Sequence, residues 1–164
     1  MKEKFIITII SDDKRGLLNQ FISIFNKRGF EIEGLNFSRT DQDDIVIITF
    51  ELLLPVEEVA TTLHKIEKII EVYKVFATKE KECPLRKCSF FKVNKTFLSD
   101  TGRKLLIKHA AEITQVNNDS VVIEKLGTDN EINNLYRDLE EEYLVSYCKT
   151  TLVSERGQLY IHDI

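Results

Sequence analysis

Residues 11–41, SDDKRGLLNQFISIFNKRGFEIEGLNFSRTD, contain the pattern that decides the fold. Gly16 opens an amphipathic helix, because apolar side chains then recur at helical spacing, at Leu18, Phe21, Ile22 and Phe25. Gly29 supplies the C-terminal stop of that helix. A strand follows, and its apolar positions change from even to odd numbers across Gly34, which predicts a β-bulge there. The stretch therefore predicts a helix that leads into a half-buried strand.

The sequence on either side of this stretch completes one α+β unit. Residues 4–10 are rich in β-branched side chains and predict a strand, after which the aspartates at 12–13 offer an N-cap for the helix. Residues 45–53 predict another strand, and Pro55 suits the first turn of a second helix. Residues 69–77 predict the last strand. The order is β-α-β-β-α-β, the split-βαβ arrangement.

The same order of elements repeats in the second half of the chain. Strands are predicted at 89–93, 112–116, 121–126 and 144–153, with a helix around 105–109 between the first two. Thr128 with Glu131 three residues later is a capping box, which predicts the start of the last helix. The predicted fold class is α+β, two tandem ferredoxin-like βαββαβ domains at 1–78 and 89–164, joined by a polar linker at 79–88.

The first sheet is expected to need a cover on its second face. Residues 45–50 are apolar at nearly every position, so both faces of that strand favour burial. The helices of a ferredoxin-like unit cover one face only. We therefore expect a homodimer, in which a second copy extends or covers the sheet, or alternatively a cover supplied by the second domain of the same chain.

Composition excludes several classes of protein. A formal net charge of −4 and a pI near 5.5 argue against nucleic acid as the main partner, because phosphate binding needs a basic face. No apolar run approaches the roughly 20 residues of a membrane helix, so we expect no membrane association. The first residues lack a signal-peptide pattern, and a cytoplasmic location is expected. Three cysteines, Cys83, Cys88 and Cys148, complete no four-ligand metal set and are expected to be reduced thiols.

No catalytic constellation stands out in the sequence. The histidines His64, His109 and His162 lie in no metal-binding array, and no serine or cysteine has a nucleophile motif. The acidic residues at 138–142 predict a solvated helix end, because consecutive helical positions point apart. We therefore expect no catalytic residues and no metal site.

The loop at 11–18 is the one local feature that suggests a ligand. A glycine between strand and helix lets a ligand approach the backbone, and free N–H groups at the helix start attract a carboxylate. A tight turn that needs glycine explains the same residues, and from chemistry alone it is the favoured interpretation.

Motifs along the whole chain resemble acetolactate synthase small subunits. The loop at 11–18, the helix end and strand at 25–35, the helix at 63–75 and the segments "SVVIEKLGTDNEINNL" and "YCKTTLVSERG" are similar to that family. The resemblance implies an amino-acid-sensing ACT domain in the first half, pairing of two such domains into one extended sheet, and a branched-chain amino acid, usually valine, between the loop of one subunit and the second strand of its neighbour.

The resemblance also implies which residues bind the effector: Asp13, Arg15, Gly16, Leu17, Leu18, Glu31 and Ile32. Valine-sensitive members commonly carry asparagine where this chain has Asp13 and Glu31. An amide donates a hydrogen bond to a ligand carboxylate, whereas an ionised carboxylate repels it. Arg15 or Lys14 is a candidate to compensate, and we expect valine to bind weakly or not at all.

The family resemblance implies a non-catalytic regulatory chain. It is expected to bind and activate the large catalytic subunit of acetolactate synthase in branched-chain amino acid biosynthesis. Thiamine diphosphate, magnesium and FAD are expected on that partner, and no cofactor on this chain. A stand-alone two-domain ACT sensor or co-regulator is the alternative. An RNA-binding protein is a third reading, which the acidic balance and the lack of a basic aromatic strand motif oppose.

Overall fold

The computed structural model describes residues 1–160, except the side chain of Gln158. His162 therefore lies outside the described residues. Within them, no helix is long and apolar enough to cross a membrane.

The first half forms a four-stranded antiparallel sheet with two helices. Its elements are β1 (Lys2–Asp12), α1 (Leu17–Lys27), β2 (Glu31–Arg39), β3 (Ile45–Pro55), α2 (Val59–Glu67) and β4 (Val72–Lys79). The spatial order is β2-β3-β1-β4, with β1 and β3 in the centre. This is the predicted ferredoxin-like arrangement, and the fold class is confirmed for this half.

One face of this sheet packs against α1 and α2. Alternate residues of β1 and β3 supply it, because successive side chains on a strand point to opposite faces. Phe21 and Phe25 of α1 are fully buried against this face, and Phe25 meets Phe50 edge to face with ring centroids 4.8 Å apart. The predicted stripe of α1 is thus the face that builds the core.

The predicted N-cap of α1 is wrong. Gly16 is the capping residue, in the left-handed conformation with φ of 87°, and no side chain caps the helix. Asp12 and Asp13 instead accept hydrogen bonds from Tyr73 of β4 and Arg39 of β2. Gly29 ends the helix with φ of 66°, which is the predicted glycine stop.

The predicted β-bulge in β2 is confirmed. Ile32 pairs with Leu52 of β3, but Gly34 pairs with the next residue along, Glu51, so one residue between them is extra. A Cβ on Gly34 would lie 2.6 Å from Glu51 Oε1 and still closer to Thr151 Oγ1. A side chain at this position would therefore have to displace the ends of the Glu51 and Thr151 side chains.

The second half repeats the architecture. It contains β5 (Lys87–Asn94), α3 (Asp100–His109), β6 (Glu112–Val116), β7 (Ser120–Gly127), α4 (Asp129–Glu140) and β8 (Leu144–Thr151), and α5 (Glu155–Gln158) follows. The sheet order β6-β7-β5-β8 matches that of the first half, so the tandem fold class is confirmed. Phe91, Ile123 and Leu135 are among its fully buried core residues. The predicted capping box is present, with Thr128 and Glu131 bonded in both directions.

The contacts divide the chain differently from the expected boundaries. One compact unit comprises Met1–Cys83 together with the residues from Thr151 onward, and the other comprises Pro84–Thr150. The expected linker at 79–88 overlaps the last residue of β4 and the first two of β5. The expected second domain at 89–164 included residues 151–160, which the structure joins to the first unit because they contact the first sheet.

Residues Thr151–Tyr160, here called the C-terminal strap, cover the second face of the first sheet. Gly157 lies so close that a Cβ there would meet Ile47 at 2.8 Å, and the backbone N–H of Ser154 donates to Thr49 Oγ1 at 3.1 Å. Tyr160 packs with Ile10 and Ile47. The expected cover was a second copy or the second domain. The cover in the structure is residues 151–160, the last described part of what the expected boundaries assigned to the second domain.

Candidate functional site

The loop between β1 and α1 is held by backbone hydrogen bonds from its neighbours. The N–H of Asp12 donates to the carbonyl oxygen of Glu71 at 3.0 Å, and the N–H of Asp13 donates to that of Asp44 at 2.7 Å. The N–H of Leu17 donates to the carbonyl oxygen of Lys14 within the loop, at 3.1 Å. The loop therefore has a defined conformation before any ligand binds.

Gly16 is needed for its backbone conformation. Its φ of 87° is rarely adopted by other residues, whereas a Cβ built there would meet no atom within 4 Å. This observation agrees with both interpretations of the loop. Gly16 makes the tight turn, and the space beside it is open to a ligand.

The charged side chains of the loop mostly have partners. Arg39 Nε donates to Asp13 Oδ2 at 2.8 Å, and Tyr73 donates to Asp12 Oδ1 at 2.6 Å. Lys14 is hydrogen-bonded to Glu71, which raises the pKa of Lys14 and lowers the pKa of Glu71. Lys14 is thus already paired with an acid, and Arg15, which is exposed, is the better candidate to meet a carboxylate.

Leu17 and Leu18 differ in what they can contact. Leu17 is 3% exposed and belongs to the first core cluster, so its side chain stabilises the domain. Leu18 is partly buried against the same cluster and keeps an exposed side. Of the two predicted leucines, Leu18 is the one with surface to offer a ligand.

Glu31 and Ile32 lie at the opposite end of the sheet from the loop. Ile32 pairs with Leu52, which pairs with Phe5 near the start of β1, whereas Arg39 pairs with Val46, beside Ser11 at the end of β1. At about 3.3 Å per residue, Ile32 and Arg39 are about 23 Å apart along β2. One chain therefore does not bring the predicted site residues together.

Sequence reasoning missed the partners of the loop, Arg39, Glu71 and Tyr73. They come from the end of β2 and from the region around the start of β4, and their positions beside the loop follow from strand register. No local motif signals such a contact.

Three further predictions concern residues outside the loop. His64 lies on α2 with a side chain 65% exposed, as expected for a solvated helix face. The three cysteines are free thiols, and burial is the main cause that raises the pKa of Cys88. Asp138 of the acidic stretch accepts hydrogen bonds from Lys108 and His109, so it is part of a polar contact between α3 and α4.

The chain is similar to acetolactate synthase small subunits of several organisms. No family model matches the sequence. The acetolactate synthase small subunit of Mycolicibacterium smegmatis is 27% identical over 155 residues, which cover 90% of this chain and 88% of that protein. The one from Bacillus subtilis is 28% identical over 157 residues, which cover 94% of this chain and 91% of that protein.

A solved structure has the same fold. The crystal structure of the acetolactate synthase small subunit from Thermotoga maritima matches with a TM-score of 0.77 over 91% of this chain and 94% of that chain, at 16% identity. At that identity the match speaks for the fold alone. Together with the sequence relatives, it confirms the resemblance that the motifs indicated.

Proposed function

We propose that this chain is the small regulatory subunit of an acetolactate synthase, which binds the large catalytic subunit and raises its activity. The observation that carries the proposal is the similarity to proteins of that name along about nine tenths of the chain. The tandem ferredoxin-like fold supports it, because the solved relative is built in the same way. The chain acts in the cytoplasm, in the biosynthesis of valine, leucine and isoleucine.

In this proposal the chain performs no chemistry. Thiamine diphosphate, magnesium and FAD are bound by the catalytic partner, and this chain contributes contacts that change the partner's rate. The loop at 11–18 supports a binding role, because it offers an open turn and an exposed arginine and no nucleophile beside a base.

The effector site in this proposal is shared by two copies of the chain. The loop and Glu31 lie at opposite ends of β2, and β2 is an edge strand of its sheet. If a second β2 pairs antiparallel with it, the start of each strand lies near the loop of the other chain. A homodimer formed by sheet extension therefore completes two equivalent sites, in agreement with isologous pairing.

Weak valine binding is part of the proposal. Glu31 is exposed and presents a carboxylate where an amide would donate to the ligand. Asp13 is paired with Arg39 on the surface, and such a pair is only partly neutral towards a third charge. Arg15 attracts the ligand carboxylate, but two acidic side chains oppose it.

The decisive experiment measures conversion of pyruvate to acetolactate by the large subunit of the same organism. The rate is compared with this chain, without it, and with an unrelated acidic protein at equal concentration. A several-fold rise that only this chain produces is the expected result, with co-elution of the two subunits on a sizing column. An unchanged rate without a complex would overturn the proposal and favour the stand-alone sensor.

A further inference from the structure

The second domain contains a polar cleft of its own. It has a volume of about 540 Å³ and lies where the end of α3, one face of α4 and the end of β7 meet. Its lining is polar and consists of Lys108, His109, Lys125, Glu131, Asn134, Arg137 and Asp138. A volume of this size is in the range of small-molecule sites.

Lys125 is the unusual member of this lining. It follows Val121 and Ile123 on the side of β7 that builds the core, and it is only 7% exposed. Its carbonyl oxygen accepts from Ser89 Oγ at 2.8 Å, which fixes its backbone. Within residues 1–160, no hydrogen bond or ion pair reaches its ammonium group. Glu131 is the carboxylate on which its charge acts, but no hydrogen bond joins the two side chains. A buried cation that no hydrogen bond satisfies is costly.

The two carboxylates of the cleft already have partners. Asp138 Oδ2 accepts from Lys108 Nζ and from His109 Nε2, both at 2.7 Å, and these bonds lower the pKa of Asp138. Glu131 accepts from the backbone and side chain of Thr128 in the capping box, which is the main cause that lowers its pKa, and the charge of Lys125 contributes at longer range.

The charge that remains in the cleft is positive. Arg137 lies on α4 one turn beyond Asn134, is exposed, and like Lys125 has no hydrogen bond or ion pair in the described part of the chain. An arginine fork, a buried ammonium and an amide suit an oxyanion, since arginine binds phosphate and carboxylate with two parallel hydrogen bonds.

We propose that the cleft lined by Lys125, Asn134 and Arg137 binds a small multivalent oxyanion, the phosphate or carboxylate groups of an acidic metabolite. Lys125 supplies the buried charge, Arg137 closes on the ligand from the solvent side, and the Asn134 amide donates a hydrogen bond. The site lies in one chain and one domain, so its existence does not depend on the catalytic partner or on the proposed function.

Calorimetric titration of the full chain tests this site, with sodium pyrophosphate and with citrate as separate probes. Saturable binding of one of them is expected, weakening as sodium chloride is added because the contact is ionic. The tighter probe tells whether phosphate or carboxylate groups are preferred. Absence of saturable binding of both would overturn the proposal.

Two variants locate the site. Lys125→Met keeps the length of the side chain and removes its charge, and Arg137→Gln changes an exposed residue that the fold does not need. Each should weaken binding at least about tenfold. Lys92→Gln, which removes an exposed lysine of β5 in the same domain, should leave the affinity unchanged. Equal affinities for native chain, Lys125→Met and Arg137→Gln would show that the anion binds elsewhere, against the proposal.

Discussion

At the scale of single residues, the carboxylate of Asp129 in the second domain is held between two lysines. Asp129 is the first residue of α4 and accepts from Lys87 Nζ at 2.7 Å and from Lys149 Nζ at 2.5 Å. Burial raises the pKa of Asp129, but the hydrogen bonds from Lys149 and Lys87 outweigh it and lower the pKa to about 2. The Lys87 side chain is 5% exposed, so this carboxylate neutralises a buried cation.

Asp129→Asn is expected to lower the free energy of unfolding by about 1–2 kcal/mol at pH 7, after allowance for solvent screening of a side chain 21% exposed. Urea unfolding measures it. Asp100→Asn is the matched control, since Asp100 is the first residue of α3 but is exposed. Its effect should stay within about 0.5 kcal/mol.

The lowered pKa of Asp129 also predicts how the stability of the chain depends on pH. The folded state holds the pKa of Asp129 below its ordinary value of 3.8, so the native chain gains stability above about pH 4 and loses it as the pH falls towards 2. The difference between native chain and Asp129→Asn should therefore shrink over that interval. A difference that stayed constant from pH 7 to pH 2 would contradict the ion-pair explanation.

The loop at 11–18 yields the second residue-scale prediction. The double variant Asp13→Asn, Glu31→Asn replaces two repelling carboxylates by amides that donate to a ligand carboxylate, so valine should bind at least about tenfold more tightly by calorimetry. Loss of the exposed Asp13–Arg39 pair should cost little stability.

The control for this variant is Asp43→Asn, which removes an exposed carboxylate from the turn between β2 and β3. It should leave valine affinity unchanged. If the double variant bound valine no better than the native chain, Asp13 and Glu31 would not be what weakens the site.

Sequence reasoning located the two glycines of α1 and missed the partners of the loop. Gly16 and Gly29 can be recognised locally, because a left-handed residue at a helix end favours glycine. Asp13 was assigned to a helix cap, but its carboxylate meets Arg39 from a strand 26 residues later in the chain. Such a partner depends on sheet register, which no short pattern encodes.

At the scale of elements, the start of α3 depends on one glycine. Gly102, in the first turn, lies against the short 3-10 turn Lys95–Phe97, and a Cβ there would collide with the backbone carbonyl of Phe97. Gly102→Ala should lower the free energy of unfolding by about 1–3 kcal/mol, because backbone cannot yield as a side chain can. Thermal unfolding measures it.

Thr101→Ala is the matched control for that helix, because Thr101 is the preceding residue and is exposed. It should be neutral or slightly stabilising, since alanine favours helix. A Gly102→Ala variant as stable as Thr101→Ala would show that α3 can shift away from the turn at no cost.

Element starts were predicted well where a local hydrogen bond defines them. The capping box of α4 needs only Thr128 and Glu131, and the bulge of β2 needs only a phase change and Gly34. Pro55 was expected in the first turn of α2, whereas β3 extends to Pro55 and a 3-10 turn, Val56–Glu58, precedes the helix. Proline fixes its own φ but does not decide between the end of a strand and the start of a helix.

At the scale of the whole molecule, the C-terminal strap gives the clearest prediction. Gly157→Val places a branched side chain against Ile47 and Thr8 and should lift the strap from the first sheet. Increased binding of a hydrophobic dye and faster proteolysis near residue 155 are expected, because Ile10 and Ile47 then meet water.

Glu155→Val provides the control for the strap. It introduces the same side chain two residues earlier, at an exposed position of α5. Dye binding and proteolysis should then match the native chain. If both valine variants behaved alike, added surface hydrophobicity would explain the result, and the seating of Gly157 would not matter.

The need for a cover on the first sheet was predictable, and its source was not. Apolar and polar residues do not alternate along β3, and this pattern indicated that both faces of the strand are buried. The covering segment is short, and it packs through a glycine, through Tyr160 and through hydrogen bonds such as that from Ser154 to Thr49. These contacts produce no periodic hydrophobic pattern in the sequence. The sequence therefore suggested a second copy or the second domain as the cover.

The strap also sets an order of events during synthesis on the ribosome. Residues Met1–Cys83 emerge first, but the segment that completes their unit follows Pro84–Thr150. At about 5–20 residues per second, the nascent first sheet waits several seconds with Ile10 and Ile47 uncovered. That interval favours chaperone capture, and a message truncated before codon 151 would yield a chain whose first unit never closes.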